Sequence, residues 1–211
     1  MRARDTVFWT LVAVYAVLWA GGVAARFATP GEPPPAWAAP AFLLVASAIA
    51  SIAARQAETV LLFAAGGFLV ELIGVHAGVP FGDYAYTGKL GPGLGGVPPA
   101  ISCAWTILLL FARDLGWRVS RRRSLAVLSG AAALVAFDLL IDPVATRVLD
   151  YWRWRQPGFF FGVPLLNFIG WFAVGALLLA AAPEPERPSR PVAAIGVSVL
   201  LFFAATLVPL P

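Results

Sequence analysis

The chain has 211 residues, of which 60% are apolar and only 12% are charged, and its formal net charge is +4. This apolar share excludes an ordinary soluble domain, and the long unbroken apolar runs exclude the alternating pattern of a β-barrel. The positive charge does not indicate nucleic-acid binding, because the arginines cluster beside one apolar run rather than on a soluble domain. We therefore expect an all-α protein, a polytopic bundle of transmembrane helices.

Seven apolar runs predict seven spans within a single membrane domain over residues 1–211. In chain order they cover residues 6–27, 37–54, 58–78, 97–115, 124–142, 161–182 and 192–209. Arg2 and Arg4 precede the first run, as they would in a signal peptide. That run is too long for a signal peptide and no clear cleavage site follows it, so we expect a retained helix.

The distribution of cations predicts the orientation of the bundle. With the N-terminus inside, ten cations lie on the inner side and five on the outer side. The inner ten are Arg2, Arg4, Arg55, Arg113, Arg118, Arg121, Arg122, Arg123, Arg187 and Arg190, and the outer five are Arg26, Lys89, Arg147, Arg153 and Arg155. We therefore expect a protein of the cytoplasmic membrane with its N-terminus inside and its C-terminus outside.

Four connections differ in composition from the spans. The proline-rich segments 29–40 and 183–191 predict extended linkers, and because they bracket residues 37–182 we expect the first and seventh helices to be peripheral. The glycine-rich segment 79–96 predicts an irregular loop. Segment 143–160 alternates tryptophan with arginine at residues 152–155, a mixture typical of a loop in the membrane interface.

Two stretches of the chain follow one template, and we expect a tandem repeat of helices 3–4 (residues 58–115) and helices 5–6 (residues 124–182). The shared order is an acid, an Asp-Tyr pair, a Gly-Val-Pro segment and a tryptophan. The first copy has Glu71, Asp83-Tyr84, Gly96-Val97-Pro98 and Trp105, and the second has Asp138, Asp150-Tyr151, Gly162-Val163-Pro164 and Trp171. Duplicated segments usually pack as related halves around a shared site.

Glu71 and Asp138 are acids within predicted spans, about 10 Å and 6 Å below the outer helix ends, while Asn167 and Trp171 lie about 9 Å and 15 Å below. A charged residue in a span costs about 2.5–3.5 kcal/mol, so both acids need a role. Either they pair with the outer cations and hold the loops, or one gives a proton to a substrate. The polar residues are expected to converge on the outer half of the bundle.

His76 is the only histidine and Cys103 the only cysteine. The chain therefore cannot build the multi-histidine iron site of membrane oxygenases, and we predict no metal and no cofactor. His76 fits a hydrogen-bonded structural residue better than a ligand, although it stays a candidate substrate contact. Aromatic residues such as Trp105 and Trp171 are by default packing residues, but near acids their π faces would stabilise a carbocation.

Several motifs in order resemble the integral-membrane carotenoid biosynthesis family, which includes the γ-carotene and bisanhydrobacterioruberin hydratases. The motifs are Gly78–Tyr86, Leu90-Gly91-Pro92, Gly96-Val97-Pro98 and Gly162–Trp171. The resemblance covers roughly residues 58–175, and helices 1, 2 and 7 match only in being apolar.

The resemblance implies a hydro-lyase that adds water across the terminal double bond of an acyclic carotenoid end group and leaves a tertiary alcohol. The implied partners are the carotenoid, water and the lipid bilayer, with other carotenoid-pathway enzymes as further candidates. No electron is transferred in this reaction, so it needs no redox cofactor.

The acids and the aromatic residues supply a catalytic hypothesis for such a reaction. Glu71 or Asp138 is the candidate general acid, and Asp83, Asp142 or Asp150 is the candidate base that orients water. Asn167 would hold the water molecule. The remaining candidates for substrate binding are Tyr84, Tyr86, Trp105, Trp171 and His76.

Three rival functions use part of the same residue set. An end-group cyclase, or another terpenoid end-group enzyme, would share the protonation but shield the cation from water. A transporter would need polar residues on a path to both faces, and the inner half offers few beyond Ser47, Ser51 and Ser129. A pigment-binding or scaffold protein would need the aromatic residues but not the acids.

Overall fold

The computed structural model of the protein describes residues 3–28 and 34–207, and these form seven helices and two short strands. The helices are α1 (Ala3–Ala28), α2 (Ala38–Ala54), α3 (Ala57–Ala77), α4 (Ala100–Val119), α5 (Arg123–Arg147), α6 (Leu165–Ala181) and α7 (Arg190–Thr206), and the strands are β1 (Tyr84–Tyr86) and β2 (Trp152–Trp154). The predictions for Arg2, for residues 29–33 of the first linker and for residues 208–209 of the last span fall outside the described residues.

The predicted bundle of membrane helices is confirmed. Helices α1, α3, α4 and α5 are long and apolar enough to cross a membrane. Helices α2, α6 and α7 have 17 residues each, or about 25 Å at 1.5 Å per residue, close to the thickness of a bilayer core. The orientation of the bundle in the membrane remains a prediction.

Several of the predicted helix boundaries are wrong, and α4, for example, ends at Val119 rather than at residue 115. Helix α5 continues through Pro143 to Arg147, since a proline in a membrane helix removes one backbone donor without necessarily ending the helix. Helices α4 and α6 begin after their Gly-Val-Pro segments, because Gly96 (φ 83°) and Gly162 (φ 90°) adopt left-handed backbone conformations that a helix excludes.

These boundaries change the predicted depths of the polar residues. Asp138 lies nine residues before the end of α5, about 13 Å deep rather than 6 Å. Asn167 and Trp171 lie two and six residues after the start of α6, or about 3 Å and 9 Å deep. Glu71, six residues before the end of α3, lies about 9 Å deep, close to its predicted depth.

The sequence did not predict that the two loops on this side would form a sheet. Strands β1 and β2 are antiparallel, and their register pairs Tyr84 with Trp154, Ala85 with Arg153 and Tyr86 with Trp152. The sheet covers the ends of α3 and α5 and the beginnings of α4 and α6. We refer to this side of the bundle as the sheet end.

Helix α4 is the centre of the bundle and packs against α2, α3, α5 and α7. In its most apolar stretch 72% of the residues are buried, compared with 6% in α1. The prediction of a peripheral helix agrees with α1 but is wrong for α7, because Gly196 of α7 lies directly against the ring of Phe111 on α4. A glycine at this position lets the two helices approach closely.

Matching features occur in both copies of the predicted repeat, although the repeat itself remains a prediction. The Gly-Val-Pro segments form corresponding bridges, Leu94 with Val97 and Phe160 with Val163. The rings of Trp105 and Trp171, which hold equivalent positions, stack on each other with centroids 4.4 Å apart.

Glycines also allow α4 and α5 to pack closely. A Cβ atom at Gly116 would lie 2.1 Å from the carbonyl oxygen of Ala126, and one at Gly130 would lie 2.9 Å from the carbonyl oxygen of Ala112. These distances are far below van der Waals contact and involve backbone atoms, which cannot move aside without separating the helices. Small residues at such crossings replace the hydrophobic driving force that is missing in lipid.

We expect Gly116→Leu to lower the stability of the bundle by about 1–3 kcal/mol, because the added side chain forces α4 and α5 apart. Thermal unfolding in detergent measures the effect. Gly21→Leu is the matched control, since a Cβ atom at Gly21 of α1 meets no atom within 4 Å. Equal unfolding temperatures for the two variants would contradict the close packing described for α4 and α5.

Candidate active site

A cavity of about 420 Å³ lies at the sheet end of the bundle, below β1 and β2. Its polar lining includes two carboxylates, an amide and two phenols, and most of its remaining surface is aromatic or aliphatic. Residues that line it near the sheet are Glu71, Phe81, Tyr84, Tyr86, Trp105, Asp142, Trp152, Trp154, Asn167 and Trp171. The polar residues therefore converge on one half of the bundle, as the sequence predicts.

Glu71 projects from α3 and accepts hydrogen bonds from three donors. Its Oε2 atom accepts from the hydroxyls of Tyr84 (2.5 Å) and Tyr86 (2.7 Å), and its Oε1 atom accepts from the indole N–H of Trp105 (2.9 Å). Gly67 and Gly74 share its helix face and leave room for the aromatic rings, because a Cβ atom would lie 2.4 Å from Trp105 and 2.7 Å from the Tyr84 hydroxyl. Glu71 is only 7% exposed, but these three uncharged donors give its carboxylate hydrogen bonds in place of those from water.

Asp138 and Asp142 lie one turn apart on α5 and share the amide of Asn167 from α6. The Asn167 Nδ2 group donates to Asp138 Oδ2 (2.6 Å) and to Asp142 Oδ2 (2.8 Å). Asp142 Oδ1 accepts from the indole N–H groups of Trp152 (3.0 Å) and Trp154 (3.2 Å). Asp138 is fully buried, and its Oδ1 atom has no partner among the described residues.

The two-stranded sheet supplies four of the donors that reach these acids. Alternate residues of a strand point to the same face, and the inward face carries Tyr84 and Tyr86 from β1 with Trp152 and Trp154 from β2. The paired rings contact each other, with centroids 5.2 Å apart for Tyr84 and Trp154 and 6.0 Å apart for Tyr86 and Trp152. Each tyrosine binds the carboxylate of α3 and each tryptophan binds that of α5, so the sheet connects the two acids.

The two phenols remain protonated donors throughout the physiological pH range. Burial raises the pKa of Tyr84 and of Tyr86 above the ordinary value, and the neighbouring Glu71 carboxylate raises both further. Neither phenol can therefore serve as a resident base at neutral pH unless another group takes its proton at the same time.

The opposite face of the sheet carries ion pairs. Asp150 binds Arg153 (2.7 Å) and Lys89 (3.2 Å), and Asp83 binds Arg155 (3.1 Å). The hydrogen bond from Arg153 and the nearby Lys89 hold the pKa of Asp150 below its usual value. These ion pairs fix the sheet from outside the cavity.

The structure contradicts one of the two roles considered for the embedded acids. Glu71 and Asp138 accept only from uncharged donors, while Arg153, Arg155 and Lys89 pair with acids of the loops instead. The buried acids do not hold the loops down by ion pairing, because the cations lie on the solvent face of the sheet and the acids beneath it.

The cavity brings together seven of the eleven site residues predicted from the sequence. They are Glu71, Tyr84, Tyr86, Trp105, Asp142, Asn167 and Trp171. Asp138 lies behind this set and reaches it through Asn167. Asp83 and Asp150 lie on the outer face of the sheet, and His76 is exposed with its Nδ1 atom hydrogen-bonded to the carbonyl of Leu72 (2.8 Å).

Sequence reasoning missed Trp152 and Trp154, and it placed their rings in the lipid headgroups. In the structure the rings face inward to Asp142, whereas Arg153 and Arg155 point outward. The alternation Trp-Arg-Trp-Arg is the period of a strand with one buried face, and this signal would have identified them. Phe81 was not among the predicted site residues either, but its ring lies 6.0 Å from that of Trp105 and lines the cavity.

No three of the described His, Cys, Asp or Glu side chains are grouped as metal ligands. The lining instead holds the carboxylates of Glu71 and Asp142 in an aromatic chamber that includes the stacked rings of Trp105 and Trp171. Such a chamber suits a reaction in which a proton is delivered to an apolar molecule and positive charge develops next to π faces.

Comparison with known proteins identifies the family of the chain. The family model described as carotenoid biosynthesis protein matches residues 37–208, most of the chain. The chain belongs to this family. The match includes α2 and α7, so it extends well beyond the segment 58–175 recognised from the motifs.

Part of the chain is also similar to a curated protein. The bisanhydrobacterioruberin hydratase of Haloarcula japonica is 34% identical over an alignment 117 residues long, which covers 51% of this chain and 38% of that protein. The aligned part thus spans well under half the length of the curated relative. No solved structure matches the chain.

We expect Tyr84→Phe to destabilise the protein by about 1–3 kcal/mol, because the buried Glu71 carboxylate loses a hydrogen-bond donor. The neighbouring Asp83→Asn removes only an exposed ion pair and should cost at most about 1 kcal/mol. Thermal unfolding of the two variants in the same detergent makes the comparison. A larger loss of stability in Asp83→Asn than in Tyr84→Phe would contradict a stabilising role for the hydrogen bond between Tyr84 and Glu71.

Proposed function

We propose that this protein is a carotenoid hydratase, which adds water across the terminal double bond of an acyclic carotenoid end group and leaves a tertiary alcohol. The observation that carries the proposal is the cavity, in which carboxylates from α3 and α5 face one aromatic chamber inside a membrane bundle. The similarity to a hydratase from Haloarcula japonica supports the same class of reaction.

Asp142 is the proposed proton donor, with Asp138 behind it. Asp142 lines the cavity and Asp138 does not. The amide of Asn167 bridges the two carboxyl groups, and two like charges so close together in a buried site would repel strongly, so the pair is expected to hold a proton. The unpartnered Oδ1 atom of Asp138 is a place where that proton can rest before it passes to Asp142.

In the first step, the proton of Asp142 is transferred to the less substituted carbon of the double bond. The π electron pair forms the new C–H bond, and the tertiary carbon becomes positively charged. The stacked rings of Trp105 and Trp171, with Phe81 beside them, offer π faces to that charge. The carboxylate of Glu71 provides a negative charge in the same chamber.

In the second step, the oxygen of a water molecule forms a bond to the tertiary carbon, and its surplus proton passes to Glu71. The Glu71 carboxylate can accept this proton directly or through the hydroxyl of Tyr84 or Tyr86, which donate to it. Return of the proton to Asp142 restores the starting state. The net change is the addition of one water molecule, with no oxidation or reduction.

These assignments exchange two of the roles expected from the sequence. Glu71, expected as a candidate acid, becomes the base, and Asp142, expected as a candidate base, becomes the acid, while Asp83 and Asp150 lie outside the cavity. Asn167, expected to hold the water molecule, instead positions the two acids of α5, since its Nδ2 group donates to both.

An end-group cyclase is the nearest alternative, because it would begin with the same protonation. The polar groups around the chamber favour hydration, since the phenols and carboxylates that line it can hold a water molecule near the cation. A transporter is less well supported, because the cavity acids lie at the sheet end, while the buried Asp114 near the other end of α4 is paired with Arg113 and with the backbone N–H of Ser189.

Cells that accumulate lycopene, an acyclic carotenoid, are expected to form a new pigment when they express this protein. Its mass should exceed that of lycopene by one water molecule for each end group that reacts, as liquid chromatography with mass spectrometry would establish. An isomer of unchanged mass with a ring would identify a cyclase instead, and unchanged lycopene would contradict both enzymes.

Glu71→Gln and Asp142→Asn are each expected to reduce hydration about 10²–10⁴-fold, because each change removes one partner of the proton transfer while keeping the shape of the side chain. The matched controls are Asp83→Asn and Asp150→Asn, which alter acids on the outer face of the sheet and should keep most of the activity. Initial rates of product formation in membranes, normalised to the amount of protein, make the comparison. Loss of activity in a control and not in the cavity variants would reverse the assignment.

A further inference from the structure

The cavity does not end at the acids. It continues as a channel between α1, α2 and α7, which we call the apolar arm. The walls of the apolar arm include Leu18 and Gly22 of α1, Phe42 and Leu43 of α2, and Val199 and Phe202 of α7. None of these six residues has a polar side chain to offer to a ligand.

The depth of the apolar arm matches half of a bilayer. Leu18 lies ten residues before the end of α1 and Leu108 lies eight residues after the start of α4, about 15 Å and 12 Å from the sheet end. The hydrocarbon core of a bilayer is about 30 Å thick. The acids themselves lie about 7–9 Å from the sheet end, so the arm reaches only a few ångströms deeper than they do. A rod-shaped molecule with its end at the acids would therefore occupy the arm with a short part of its length and extend the rest into lipid.

The charges of the cavity lining indicate which part of a ligand goes where. Glu71 and Asp142 lie at the sheet-covered part, and Arg26 lies at the rim, where it donates to the carbonyl of Thr206 (2.9 Å). Arg26 is only two residues from the end of α1, so it too lies at the sheet end, and the deeper wall of the arm carries no charged residue. A ligand that fills the whole cavity thus has a long apolar body and one end that can meet carboxylates and water.

Helix α1 forms a loosely packed wall of the arm. It is held to α7 by Tyr15, which shares a hydrogen bond with the Ser198 hydroxyl (2.8 Å), and by Trp19, which donates to the Ser198 carbonyl (2.9 Å). Gly22 and Phe202 both line the arm and pack against each other, since a Cβ atom at Gly22 would lie 3.0 Å from the Phe202 ring. A large side chain at residue 22 would therefore enter the arm or push the ring of Phe202 into it. The family match begins at residue 37, so α1 lies outside the matched segment.

We infer that the apolar arm holds the polyene chain of the substrate, and that the absence of a side chain at Gly22 keeps the arm open. This inference rests on the proposed function, because it assigns the remainder of the molecule whose end group reacts between Glu71 and Asp142. It makes Gly22 a residue that determines specificity for long apolar substrates. A side chain at this position would occupy the volume that the chain of the substrate needs.

The test compares Gly22→Trp with Gly21→Trp. Gly21 is the matched control, because it neighbours Gly22 on α1, has no atom within 4 Å of a Cβ position and does not line the cavity. Both variants are purified from lycopene-producing cells, and the total polyene that remains bound is measured by visible absorbance per protein. Gly22→Trp should retain about tenfold less pigment than the wild type, because its side chain competes with the polyene for the same volume, whereas Gly21→Trp should retain as much as the wild type.

A second change shows whether lost space is the cause. Phe202→Ala removes the ring that faces Gly22, so the double variant Gly22→Trp with Phe202→Ala should regain most of the bound pigment. Size-exclusion chromatography and thermal unfolding establish that each variant is folded. Equal pigment in the Gly22→Trp and Gly21→Trp proteins, or no recovery in a folded double variant, would overturn the inference.

The same samples separate this inference from the proposed function. If the wild type forms hydrated product and the two tryptophan variants bind equal amounts of pigment, the proposed hydratase activity is supported and polyene binding in the apolar arm is refuted. Pigment that is bound by the wild type, lost in Gly22→Trp and never hydrated would support the arm and refute the hydratase.

Discussion

A carboxylate inside a membrane must receive hydrogen bonds from the protein, since lipid offers none, and this requirement organises the sheet end of the bundle. Most of the hydrogen bonds to Glu71 and Asp142 come from β1 and β2, whose inward face carries two phenols and two indoles. The sheet is too short to be stable alone, since an isolated pair of strands is marginal in water. Its contacts with the acids and the ion pairs on its outer face together hold it in place.

The same hydrogen bonds that make the acids tolerable in a membrane also prepare them for chemistry. They fix Glu71 and Asp142 on opposite helices with a free volume between them, and they leave aromatic faces exposed to that volume. A proton can be delivered from one side and removed on the other without a redox cofactor. The proposed hydration and the binding of a long polyene in the apolar arm both follow from this arrangement.

Glycine determines where the aromatic side chains can lie. Gly67 and Gly74 flank Glu71 on one face of α3 and leave room for Trp105 and Tyr84. On α6, a Cβ atom added to Gly170 would lie 2.6 Å from the carbonyl oxygen of Pro80. Close approach of this kind is the usual way in which membrane helices gain packing contacts. At the sheet end it also places large rings around small polar groups, which a bundle of leucine and valine alone would not do.

The sequence by itself determined the class of protein, the seven helices, the family and most of the residues that meet in the cavity, because apolar runs and embedded acids are local signals. It did not determine the strands, the inward direction of Trp152 and Trp154, the position of Asp138 behind Asn167 or the contribution of α7. These depend on which loops pair and which helices touch across long distances in the chain. Only the folded bundle could decide them, since the register of a three-residue sheet is set by the acids beneath it and not by the strand sequences alone.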